Sequence, residues 1–107
     1  MGNTKSTNTK LEINNCFSEL EHHLHLTTLN EKSLVIQEVG KIRSNFNSRN
    51  YINDFIRIKI NNIYYILDQE VEETVVCHKI LLKLSKLLDK YQLENTSRMS
   101  YFKKTLT

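Results

Sequence analysis

The chain has 107 residues, 39% of them hydrophobic and 25% charged, with a formal net charge of +3. That suits one soluble domain with a modest core, and no stretch comes near the roughly 20 apolar residues a membrane helix needs. With no proline and only two glycines, Gly2 and Gly40, it lacks the material for a phosphate-cradling loop, which excludes P-loop and Rossmann chemistry.

Residues 1–10, MGNTKSTNTK, are polar and carry only positive charge, so a disordered leader is expected there. They hold no secretory apolar stretch, which reads as an intracellular protein. The opening MGNTKS does fit the N-myristoylation pattern, with Gly2 as acceptor, Ser6 at the favoured position, and Lys5 and Lys10 as the electrostatic second signal. From Leu11 a helical period begins, with Ile13, Cys16, Phe17, Leu20 and Leu24 on one face. Within ELEHHLHL, His22 and His25 share a solvent-facing side three residues apart, with His23 between them. Zinc would need further ligands, and only glutamates stand nearby, so neither a metal nor any other cofactor is expected.

Thr28 with Glu31 has the form of a capping box for a second helix, whose seam is Val35, Val39, Ile42 and Phe46. NSRN at 47–50 is a polar break, with Asn50 as N-cap for a third helix. NDFIRIKINNIYYILD, residues 53–68, is ambiguous, because Ile and Tyr favour strand and Asn61-Asn62 resembles a turn. On a helical wheel Ile52, Phe55, Ile56, Ile60, Ile63, Ile66 and Leu67 fall in an arc of roughly 140°, which Lys59 alone intrudes on and Ile58 alone leaves. The second half, IYYIL, does not separate into two strand faces, and asparagine is too abundant throughout to mark a turn. The helix is therefore preferred, the alternative being an α+β fold with a β-hairpin at 55–67.

The last helix is the clearest. Asp68 serves as its N-cap, glutamates come next at the positive end of its dipole, and lysines gather toward the negative end. Val76, Cys77, Ile80, Leu81, Leu84, Leu87, Leu88 and Tyr91 form its apolar face. The expectation is an all-α, antiparallel four-helix bundle over 11–94, between the leader at 1–10 and a basic tail at 95–107. Cys16 and Cys77 lie on apolar faces and read as buried thiols, not as a disulfide framework. Cys77 and His78 are adjacent, so on a helix they diverge by about 100° and make no nucleophile–base pair. No other catalytic set is suggested by spacing, and the chain reads as a non-enzyme.

A basic stripe is more interesting, and it reads either as a solvated helix face or as a contact patch. Lys79, Lys83, Lys86 and Lys90 repeat at 4-3-4 along the last helix, and Arg98, Lys103 and Lys104 continue the charge into the tail beside Tyr101 and Phe102. Such a patch suits an acidic protein surface, an anionic membrane face or nucleic acid. The modest net charge and the lack of a helix-turn-helix argue against a dedicated DNA binder.

The run NSRNYINDFIRIKINNIYYIL, succeeded by an amphipathic helix and a basic tail, resembles the third helix of the small immunity proteins that protect lactic-acid and related bacteria against class IIa (pediocin-like) bacteriocins. Tyr51-Ile52 opening the helix, Tyr64-Tyr65 late in it, and the spacing to the last helix carry the likeness, which covers roughly half the chain. It implies a cytosolic four-helix bundle whose C-terminal helix and tail confer specificity for the cognate toxin. It also implies action at the inner membrane face, on a mannose-phosphotransferase component that the bacteriocin engages. The alternatives are an N-myristoylated peripheral-membrane adaptor of viral or eukaryotic origin, and a phage or plasmid regulator that binds nucleic acid.

Overall fold

The ambiguous stretch is helical from Asp54 to Asp68, and Ile56, Ile60, Ile63 and Leu67 enter the core at 4-3-4 spacing. The computed structural model describes residues 3–49 and 51–106, with side chains for 7–49 and 51–95. It comprises α1 (Asn3–Leu26), α2 (Lys32–Arg49), α3 (Asp54–Asp68), a 3-10 turn (Val71–Thr74) and α4 (Val75–Leu106), with no strand among the described residues. Ile-rich sequence becomes helix here because a lone hairpin would bury only one of its faces, whereas a helix in a bundle sinks most of its apolar stripe. Phe55, expected within that stripe, sits at its edge and is exposed, and Ile66 is half-buried.

Contacts between successive helices run in opposite directions, which establishes the antiparallel order. Asn14 and Asn47 exchange amide hydrogen bonds of 3.1 and 2.9 Å between α1 and α2, while Arg43 further back along α2 lies 3.4 Å from Glu21 further along α1. Between α2 and α3, Asn53 donates to Asn45 at 3.0 Å and Lys59 pairs with Glu38 at 2.7 Å. Arg57 meets Asp89 at 2.8 Å and His78 meets Asp68 at 3.4 Å between α3 and α4. Thr9 donates to Glu94 at 3.0 Å, and Thr27 lies 3.8 Å from the Cys77 sulfur, so α4 returns along α1. The molecule is a rod of 53 × 22 × 22 Å.

Every expected seam residue of α1 and α2 is buried. Phe46 ties three helices together, its ring centroid lying 6.5 Å from that of Phe17 and 5.1 Å from that of Tyr91. On α4, Cys77, Ile80, Leu81, Leu84, Leu88 and Tyr91 are buried and Leu87 is packed against the core. Val76, expected on the same face, is exposed instead, one step round the helix from the core line.

Helix ends depart from expectation more than helix faces do. The helical segment begins ahead of Leu11, because α1 takes in residues 3–10, and Thr9 is buried where its hydroxyl reaches Glu94. Residues 1–2 lie outside the described residues. The Thr28–Glu31 capping box does not open α2, which starts at Lys32 with the Glu31 carbonyl accepting from Val35 N–H. Asn53 caps α3, its side chain accepting from Ile56 N–H at 3.0 Å, and Asn50, expected as the cap, lies outside the described residues. Asp68 ends α3 and does not cap α4, since the Thr74 hydroxyl donates to the Leu67 and Glu70 carbonyls at 3.0 and 2.8 Å and draws the chain into a 3-10 turn first. Beyond residue 94, where a tail was expected, the backbone continues as α4 to Leu106.

Candidate interaction face

Lys79, Lys83, Lys86 and Lys90 are all exposed, and at 100° per residue they fall within an arc of about 60° on the outer side of α4. Exposed aliphatic side chains flank them, with Val75, Leu82 and Leu93 on one side and Val76 on the other. Leu82 and the half-buried Leu87, on either side of the lysine row, line with the four lysines a shallow groove of about 360 Å³. An ammonium on a long methylene stem next to exposed leucine gives a face that is cationic and partly apolar at once.

The acids of α4 explain why this charge stands unopposed along the helix. Among its described residues only Asp89 and Glu94 are acidic, and both turn sideways. Asp89 pairs with Arg57 of α3, whose guanidinium also donates to Gln92 at 2.6 Å. Glu94 accepts from Thr9 of α1. Lys83 has Glu19 of α1 at 3.8 Å, an exposed pair of little energetic weight. Arg98, Tyr101, Phe102, Lys103 and Lys104 belong to the helical backbone of α4, but their side chains lie outside the described residues, as does Gly2 entirely.

The other residues marked by the sequence do not gather into a chemical site. His22 and His25 are exposed and His23 is half-buried against His22, with ring centroids 5.5 Å apart. No group of three or more metal-ligating side chains forms among the described residues. Cys77 points toward Thr27, while His78 turns to Asp68 and lays its ring 6.1 Å from that of Tyr64. Burial pushes the Cys16 thiol up to about 11, against a smaller lowering by Lys83, and its S–H donates to the Ile80 carbonyl at 3.5 Å. Burial likewise raises the Cys77 thiol. Both sulfurs are therefore protonated at neutral pH and serve as packing groups.

One arrangement went unseen in the sequence. Glu38 of α2 is almost buried and receives Lys59 at 2.7 Å and Lys41 at 3.5 Å. The Lys59 hydrogen bond holds its carboxyl below the ordinary value, outweighing the desolvation that would raise it. Leu34, Asn62, Tyr65 and Ile66 complete a groove of about 260 Å³ round this pair. The available signal was Lys59 itself, the one charge inside the apolar arc of α3. Comparison with protein-family models, curated proteins and solved structures returned no match to the chain.

Proposed function

We propose that this chain is a non-catalytic interaction protein that docks an acidic protein surface through the outer face of α4 and the helix's basic C-terminal stretch, residues 95–106. The observation that carries the reading is the sideways engagement of Asp89 and Glu94, which leaves four lysines facing outward beside Leu82 and Leu93. The excess of positive charge on this face, which Glu19 meets only at the exposed Lys83, speeds encounter with an acidic partner, and the exposed leucines supply apolar area to bury once contact is made. In its specific form the proposal is an immunity-type protein. It acts at the cytosolic membrane face on a receptor component engaged by a pediocin-like bacteriocin, as the likeness in residues 47–67 implies. No helix of the described residues is long and apolar enough to cross a membrane, so the membrane partner would be reached from one side.

The test is protection of a bacteriocin-sensitive strain expressing the chain. Wild type should raise the toxin concentration needed to kill, and Lys79→Glu with Lys86→Glu should remove most of that gain. Neither lysine is in the core, so the variant should melt as wild type does. A strain left equally sensitive by wild type would overturn the immunity reading. Full protection by the charge-reversed chain would overturn the assignment of the face.

A further inference from the structure

α3 carries two seams, and the core occupies only one of them. Ile56, Ile60, Ile63 and Leu67 face inward at 4-3-4 spacing. On the outer side Phe55, Ile58, Asn62 and Tyr65 repeat at 3-4-3, the interval of a second helix–helix seam. Phe55 is 39% exposed, Ile58 57% and Tyr65 69%, and Leu34 of α2, 41% exposed, widens the strip beside Tyr65. Ile58 and Tyr65 lie mostly outside the monomer's own packing, and Phe55 sits at its edge with Lys59 5.6 Å from its ring centroid.

From these positions we infer that a second copy of the chain covers this seam, forming an antiparallel dimer about a twofold axis level with Ile60. The seam is self-complementary in that orientation. A twofold at residue 60 sets Phe55 opposite the other copy's Tyr65 and Ile58 opposite its Asn62, so two aromatic pairs bracket the contact. Opposed helix dipoles favour the same orientation. Asn62 places one amide in the apolar row, the kind of residue that fixes a register at some cost in affinity.

Charge decides which face a second copy can approach. The chain carries a net +3, and the outer face of α4 would set four lysines against four more. Both cations of α3 are instead used internally, Arg57 by Asp89 and Lys59 by Glu38, and Asp54 and Asp68 stand at its two ends, outside the seam. Few interfaces place like charge at their centre, and none of the strip's own side chains is charged. Lys59 borders it beside Phe55 and Tyr65, where Glu38 at 2.7 Å offsets its charge. Five such side chains bury on the order of 400–500 Å² per partner, below the roughly 800 Å² of a standard interface. The dimer is accordingly weak, with half-association on the order of 10–100 µM. It does not depend on what α4 binds.

Sedimentation equilibrium of the full chain between about 5 and 500 µM tests this, bracketing that range. The weight-average mass should climb from that of one chain toward that of two. Ile58→Lys should hold it at one chain throughout, with an unchanged melting curve at the lowest concentration, whereas Leu82→Lys on α4 should associate as wild type does. A single-chain mass at every wild-type concentration would sink the proposal, and so would Leu82→Lys acting as strongly as Ile58→Lys. Register is read by mixing Ile58→Cys and Asn62→Cys chains under copper phenanthroline oxidation, where cross-links should join unlike chains. Cross-linking of Ile58→Cys to itself would overturn the antiparallel pairing.

Discussion

Lys59 and Glu38 show how one side chain can disturb a pattern and still stabilise the fold. An ammonium inside an apolar arc would cost several kcal/mol unpaired, but α2 presents a nearly buried carboxylate 2.7 Å away. Removing the lysine leaves Glu38 with only the more distant Lys41. Lys59→Met is therefore expected to destabilise by about 1–3 kcal/mol, and adding Glu38→Gln should recover part of the loss. Because the fold lowers the pKa of Glu38, ionised Glu38 contributes stability above the ordinary glutamate value of 4.5. That contribution disappears as pH falls through the lower folded value. Thermal melts of wild type and Lys59→Met should thus converge in acid, and a gap that stayed constant from neutral to acid pH would contradict the pairing. The thiols give a second residue-scale check. With Cys16 and Cys77 buried and their acidities weakened, Ellman's reagent should find almost no reactive thiol in the native chain and two after denaturation. Rapid reaction of either in the native state would mean the α1–α4 interface opens.

At the scale of elements, faces were legible and ends were not. A face rests on many side chains at one period, so a single misfit such as Ile58 or Val76 leaves its direction intact. An end rests on one or two hydrogen bonds that several nearby residues are chemically able to make. Asn50, Asn53 and Asp54 all qualify as caps by type; Asn53 holds the position because its amide also reaches Asn45 on α2, a contact no local pattern reveals. Asn53→Ala should consequently cost about 1 kcal/mol or somewhat more, since both the cap and the cross-helix bond go. Asn45→Ala should remove only the second bond and cost less, and chemical denaturation of the two variants would order them. Equal losses would mean the cap itself contributes nothing. In the core, Phe46→Ala should cost about 3–5 kcal/mol, because its ring touches Phe17 and Tyr91 together and no single helix can relax into the gap.

For the whole molecule, the proposed interaction face was half legible. The lysine spacing was plain in the sequence, yet whether those charges were cancelled depended on the distant partners of Asp89 and Glu94, Arg57 on α3 and Thr9 on α1. The outer seam of α3 was harder, because Ile58 read as a stray from the inner face and not as part of a second one. On the proposed reading, fold and docking also divide along the length of the rod. The described core ends at Tyr91, and Glu94 closes the α1–α4 contact through Thr9. A chain ending after Glu94 keeps every one of those groups and loses Arg98, Lys103 and Lys104. It should melt within about 5 °C of the full chain, a shift of roughly 1 kcal/mol for a domain of this size. It should also lose protection in the sensitive strain, because part of the charge that attracts an acidic partner is gone. If instead the shortened chain unfolds, the last turns of α4 belong to the bundle. If it protects as well as the full chain, docking rests on Lys79, Lys83, Lys86 and Lys90 alone.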